Sequence, residues 1–225
     1  MKHLVMTAVA GISLALFSAG AQSAVVVQYD IANSNPSVSS SVNPLPAPVG
    51  VITSTMNATA ATLGLPAPWT GLFGYLGWNV GVGPNPTQYY EFTVTPAVGY
   101  QVQYQSIDLA AIVGGNTASI WTMEVHASLD GFVASDIALF TQPIPQDGSA
   151  HIHNGLDISA LGTQSGAVTF RFYMYRPAGS QSGFAGLLNF GAYGPDKSFF
   201  VNGIVTPPPL ATEPTTWGGV KALYR

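Results

Sequence analysis

The sequence predicts an all-β protein: a single antiparallel β-sandwich of jelly-roll-like form with about ten strands. In several segments apolar and polar residues alternate over five or more positions, which is typical of strands with one buried face. The 25 Gly and 17 Pro are spread along the chain and interrupt any long helix. The loops between the segments are uneven in length, which favours a sandwich over a regular barrel.

The predicted strands follow one another between turn signals. They are Val25–Asp30, Val51–Ala61, Tyr89–Thr95, Tyr100–Val113, Ile120–Ser128, Asp136–Thr141, Ala150–Ile158, Ala167–Tyr175, Phe184–Phe190 and Ser198–Thr206. Residues 33–50 form a predicted loop, and residues 63–85 have no regular pattern. The dipeptide Asp130-Gly131 predicts a turn, because Gly accepts positive φ and Asp bonds nearby backbone. Three successive prolines, Pro207–Pro209, end the last strand because proline cannot donate to a ladder.

The first 23 residues have the pattern of a secretory signal peptide. Lys2 and His3 precede an apolar run from Leu4, which ends in small residues that fit cleavage after Ala21 or after Ser23. The alternative is an N-terminal anchor that is not cleaved. We therefore expect three parts: a signal peptide at 1–23, the sandwich at 24–206, and a Pro-rich linker and tail at 207–225. The expected location is outside a bacterial cell or on its surface.

Composition excludes several classes of function. Only 7% of the residues are charged and the formal net charge is −4, so the chain lacks the clustered Lys and Arg of a nucleic-acid surface. There is no cysteine, which excludes disulfides, thiolate metal sites and a cysteine nucleophile. After the first 23 residues no apolar run is long enough for a membrane span.

Four segments, in this order, resemble secreted β-sandwich proteins of the exosortase-sorted (PEP-CTERM) type. They are Tyr89–Pro96 followed by Gly99-Tyr100, Ser128-Leu-Asp-Gly-Phe132, Val168–Tyr173, and Phe200–Val205. The resemblance covers about residues 85–206 and implies a fold and an extracellular location more than a chemistry. Aromatic residues of such sandwiches often bind carbohydrate, but no particular residue is carried over.

The tail departs from that family. Its sorting signal resembles Val-Pro-Glu-Pro, then a membrane helix, then several Arg. This chain has Glu213-Pro214-Thr215-Thr216-Trp217, no such helix, and a single terminal Arg225. A degenerate signal and a different surface signal both remain open.

The most distinct candidate for chemistry is a metal site at His151, His153 and Asp157. Residues two apart on a strand share a face, so both imidazoles can reach one ion such as zinc, with Asp157 as a third ligand. The alternative is two exposed histidines on a solvated face. Turn aspartates also suggest a structural calcium, although no complete calcium loop is present; they are Asp130, Asp136, Asp147 and Asp157.

Aromatic residues are the candidates for ligand binding. Trp69 and Trp78 lie in the irregular Gly-rich segment, and Tyr173 and Tyr175 lie on the outer side of their strand. A flat ring beside polar groups suits sugar stacking; the alternative is core packing. Arg171 is expected to pair with a carboxylate on a neighbouring strand.

A second set of polar residues shares one strand face. It consists of Glu124, His126 and Ser128, and we interpret it as a polar outer face rather than a nucleophile with its base.

Three functions fit these features. The first is a non-catalytic secreted or surface protein that binds extracellular polysaccharide. The second is a metal-dependent hydrolase of esters or lactones that uses His151, His153 and Asp157. The third is an assembly module that joins copies through its edge strands. No catalytic residue is assigned, and zinc and calcium are the only cofactors suggested.

Overall fold

The computed structural model confirms the all-β prediction. It describes residues 24–31, 41–59, 71–115, 117–179, 183–188 and 199–209. These contain fifteen strands, and a turn of 3-10 helix lies at Ser159–Leu161. The strands are β1 Ala24–Tyr29, β2 Ser41–Val42, β3 Val51–Thr53, β4 Met56–Ala58, β5 Leu72–Tyr75, β6 Asn79–Val80, β7 Tyr90–Pro96, β8 Gln101–Val113, β9 Ile120–Ser128, β10 Ile137–Pro145, β11 Ala150–Asp157, β12 Thr163–Gln164, β13 Val168–Arg176, β14 Ala185–Leu188 and β15 Phe199–Thr206.

The strands form two facing sheets. The seven-stranded sheet has the order β1-β15-β8-β14-β5, and β11 and β12 also pair with the long strand β8. The eight-stranded sheet has the order β10-β9-β13-β7-β4-β2, with β3 added to β7 and β6 added to β13. All described pairs are antiparallel except β6 with β13. The two sheets make the predicted sandwich, with more strands than expected because several have only two or three residues.

Aromatic side chains fill the space between the sheets. Phe92 of β7 is 1% exposed and lies within 5.3 Å, between ring centroids, of Tyr29, Phe170 and Phe199. Strand β7 has strict alternation of buried and partly exposed residues, as its sequence predicted. Its inner residues therefore hold the core, and its outer residues remain for other roles.

The chain crosses from one sheet to the other between β10 and β11, at Gln146. This side chain is 1% exposed. Its Oε1 accepts from Trp121 Nε1 at 3.2 Å and from Thr117 Oγ1 at 2.9 Å, while its Nε2 donates to the Gly114 carbonyl at 3.2 Å. One buried amide thus joins three segments at the corner of the sandwich.

Two predicted parts of the chain, the signal peptide at 1–23 and the tail from 210 to 225, lie outside the described residues. Within the part that is described, no helix is long and apolar enough to cross a membrane.

Candidate functional site

The outer face of the eight-stranded sheet carries a row of charged side chains. Arg171 of β13 lies opposite Glu91 of β7 on one side and His126 of β9 on the other. Arg171 Nε donates to Glu91 Oε2 at 2.7 Å, so the predicted cross-strand ion pair is confirmed. The row exists because the inner neighbours of these residues are core residues, and alternation turns the charged side chains outward.

Two aromatic rings enclose the guanidinium of Arg171. Its Cζ lies 4.0 Å from the ring centroid of Tyr89 and 4.0 Å from that of Phe132. A cation between two ring faces is attracted by both quadrupoles. Burial alone would lower the pKa of Arg171, but the hydrogen bonds to Glu91 and Tyr173 and the Glu91 charge outweigh it and raise the pKa.

A tight loop positions Phe132 over this arginine. The carboxylate of Asp130 accepts hydrogen bonds from the backbone N–H groups of residues 133–135 and from the hydroxyls of Ser128 and Ser135. The hydroxyl of Ser128 is the largest of several donors that lower the pKa of Asp130 far below its ordinary value. Phe132 has φ 65°, which is rare for a residue with a side chain. This backbone turn directs the ring back onto Arg171.

A histidine continues the row towards β10. His126 Nδ1 lies 2.6 Å from Asp136 Oδ1. Its Nε2 lies 3.9 Å from Glu124 Oε2, and neither of these two buried atoms has a hydrogen-bond partner. The imidazole meets the ring of Tyr173 edge-on, with centroids 5.1 Å apart. We call this set the aromatic–charge cluster; its members are Tyr89, Glu91, Glu124, His126, Phe132, Asp136, Arg171 and Tyr173.

The predicted ligand-binding aromatics have three different placements. Trp78 is 2% exposed and belongs to the core, where Nε1 donates to the Ala185 carbonyl at 3.0 Å. It therefore offers no face to a ligand. Tyr173 and Tyr175 lie on the outer side, as predicted, but they are only 4% and 8% exposed; burial raises the pKa of both hydroxyls. Trp69 lies outside the described residues.

Sequence reasoning missed the two rings that are more accessible. Tyr89 and Phe132 are both partly exposed. Tyr89 comes directly before β7, and Phe132 follows the predicted Asp130-Gly131 turn. That turn was the available signal, since a side chain one residue beyond a tight turn can fold over the adjoining strands.

The three predicted metal ligands do not converge. His151 and His153 share a face of β11, opposite Ala111 and Leu109 of β8. However, His151 Nε2 lies 3.1 Å from Asp147 Oδ1. Asp157 lies beyond a register shift in β11, and its Oδ1 accepts from the Ser159 backbone N–H at 2.8 Å.

The surroundings of His153 are also consistent with three predicted ligands that do not converge. Burial, followed by the nearby charge of His151, lowers the pKa of His153. Across the described ranges, no three His, Asp or Glu side chains are grouped so that they could hold a metal ion. The expected site of His151, His153 and Asp157 as three ligands is therefore absent from that part of the chain.

Comparison with known proteins does not assign the chain to a family. No family model matches it, and no curated protein matches it. Among solved structures, the VP2 subviral particle of infectious bursal disease virus has a TM-score of 0.26 and 11% identity. The match covers 81% of this chain and 51% of the viral chain, so this chain spans about half the length of that protein. A TM-score this low supports no functional inference.

Proposed function

We propose that this chain is a non-catalytic secreted or cell-surface protein that binds extracellular polysaccharide through the aromatic–charge cluster. One observation carries the proposal: Arg171 Cζ lies 4.0 Å from the ring centroids of both Tyr89 and Phe132 at an outer sheet surface, with carboxylates on either side. Sugar rings present apolar C–H faces and a rim of hydroxyls. They are recognised by flat aromatic surfaces beside fixed polar groups.

The accessible polar groups of the cluster suit hydroxyl ligands. The side chain of Asp136 is 58% exposed and that of Glu91 is 35% exposed. Each already has one partner within the cluster, so its orientation is fixed while part of it still faces solvent. A carboxylate held this way can accept a hydrogen bond from a sugar hydroxyl without losing much side-chain freedom.

Rigidity supports binding by the same face. Glu91, His126 and Arg171 stand on three adjacent strands, and the Asp130 carboxylate fixes the loop that carries Phe132. A preorganised site gives up little conformational entropy when a ligand binds. This favours recognition of a repeating polymer by many weak but well-placed contacts.

The test is glycan binding by the full chain recovered after secretion, measured on a polysaccharide panel and by affinity electrophoresis. Tyr89→Ala and Phe132→Ala should each weaken binding about 3- to 10-fold, since an aromatic contact contributes about 0.5–1.5 kcal/mol. Tyr100→Ala is the matched control. Tyr100 is also partly exposed, but it lies near the opposite end of β7, beside Gly50.

Two results would contradict the proposal. One is that no polysaccharide of the panel binds; the other is that the cluster variants bind as tightly as the control. Thermal unfolding of each variant separates lost binding from lost folding. Export is tested separately: the recovered protein should have the mass expected for cleavage after Ala21 or after Ser23.

A further inference from the structure

We infer that Glu124 and His126 form a binding site for one divalent transition-metal ion, with zinc as the best-fitting metal. The two residues share the outer face of β9 and belong to the aromatic–charge cluster. Their facing atoms, Glu124 Oε2 and His126 Nε2, are 3.9 Å apart, buried and without a hydrogen-bond partner. Folded proteins rarely leave two such atoms unsatisfied side by side, so their environment points to a ligand between them.

The hydrogen bond on the other side of the imidazole sets its tautomer. His126 Nδ1 lies 2.6 Å from Asp136 Oδ1, and a carboxylate there accepts the Nδ1 proton. In a neutral ring, Nε2 then presents a lone pair towards Glu124. Two acceptors thus face one another across the gap, which suits a cation. In zinc sites, the histidine that binds the metal usually donates its other ring N–H to a carboxylate.

The separation of the two atoms is close to the distance between two ligand atoms of one metal ion. Zinc lies at about 2.0–2.1 Å from histidine nitrogen and about 2.0–2.2 Å from carboxylate oxygen. At a tetrahedral ion these lengths place the two donor atoms about 3.4 Å apart. The observed gap of 3.9 Å therefore has to close by about 0.5 Å for one ion to bond to both atoms. The Thr141 hydroxyl donates to Glu124 Oε1 at 3.3 Å, which fixes the carboxylate with its second oxygen towards His126.

Local charge also favours a divalent ion. Arg171 pairs with Glu91, so the remaining carboxylates, Glu124 and Asp136, are balanced by no fixed cation in the cluster when His126 is neutral. A divalent cation neutralises both. No third His, Asp or Glu of the described residues completes the set, so water fills the remaining positions and the expected affinity is moderate.

The experiment titrates the metal-free full chain with Zn²⁺ by calorimetry at neutral pH, and with Co²⁺ by its visible absorption. Wild type should bind one equivalent. His126→Ala and Glu124→Gln should each weaken binding at least 30-fold, and Asp136→Asn should weaken it about 10- to 100-fold, because the histidine loses its orienting partner. His151→Ala is the matched control, because that histidine also contacts an aspartate but through Nε2. It should bind zinc as wild type does.

Two results would overturn the inference: no saturable binding of either metal by wild type, or binding that survives His126→Ala and is lost in His151→Ala. The second result would place the metal-binding site at His151 of β11 instead. Glu124→Gln keeps the size of the side chain, so it remains informative if His126→Ala does not fold. The titration contains no glycan, so its outcome is independent of the polysaccharide proposal.

Discussion

Replacement of Gln146 by Leu should destabilise the sandwich by about 2–6 kcal/mol. Leucine is close to glutamine in size, so little cavity forms and the loss is mainly one of hydrogen bonds. The change leaves the Trp121 indole N–H and the Gly114 carbonyl without their partner in the core, and each unsatisfied buried group costs about 1–3 kcal/mol. Thr117 is only partly buried and can turn to water, so it contributes less.

Urea unfolding followed by far-UV circular dichroism measures the change, with Trp121→Phe and the double variant completing a cycle. Trp121→Phe removes the indole donor, so the effects of the two substitutions should be non-additive by about 1 kcal/mol or more. A Gln146→Leu protein within 0.5 kcal/mol of wild type, at an unchanged dependence on urea, would refute the reasoning. It would mean that water enters this corner of the sandwich, or that the surrounding residues rearrange without a loss of stability.

Three further substitutions test the core, a close strand contact and the Phe132 loop. Phe92→Ala should lower the free energy of unfolding by about 3–5 kcal/mol, while Val98→Ala, fully exposed, should change it by less than about 0.5 kcal/mol in the same urea titration. Gly186→Ala should prevent β14 from pairing normally with β5, because its Cβ would lie 2.3 Å from the Gly74 Cα. A soluble variant with the wild-type melting temperature would contradict this. The pKa of Asp130 is lowered in the folded state, so its contribution is complete above the ordinary value of 3.8 and is lost as the pH falls below it. The protection factors of the backbone amides of residues 133–135, which are corrected for the intrinsic pH dependence of exchange, should therefore fall on acidification. Asp130→Asn should remove that change, and equal profiles of the protection factor against pH in the two proteins would reject the assignment.

Strands with one buried face could be predicted closely from the sequence. Strand β9 was expected at Ile120–Ser128 and has those bounds, because every second residue packs into the core. Strand β5 was missed, since all four of its residues, Leu72–Tyr75, are buried and no alternation marks it. Burial on both sides removes the period-two signal.

The site was less predictable because it depends on contacts between distant segments. Arg171 could be expected to pair across strands from its position in an alternating strand, although the identity of Glu91 required the register of β7 with β13. Trp78 illustrates the converse. Its surroundings in the sequence suggest an exposed loop, yet its indole bonds the carbonyl of Ala185, 107 residues away. The sequence around Trp78 does not indicate a hydrogen-bond partner so far away along the chain.

The pairing of the first described strand with the last sets a condition on when the molecule can fold. Strand β1 bonds only to β15 among the described strands, and β15 in turn lies against β8. Because β1 ends at Tyr29 and β15 begins at Phe199, β1 leaves the ribosome long before its partner strand does. Until then the Val-rich β1 has only its bonds to the segment at Pro44 and Leu45. Completion of the seven-stranded sheet therefore requires residues 199–206, and truncation before residue 199 should leave β1 without its partner strand rather than give a smaller folded sandwich.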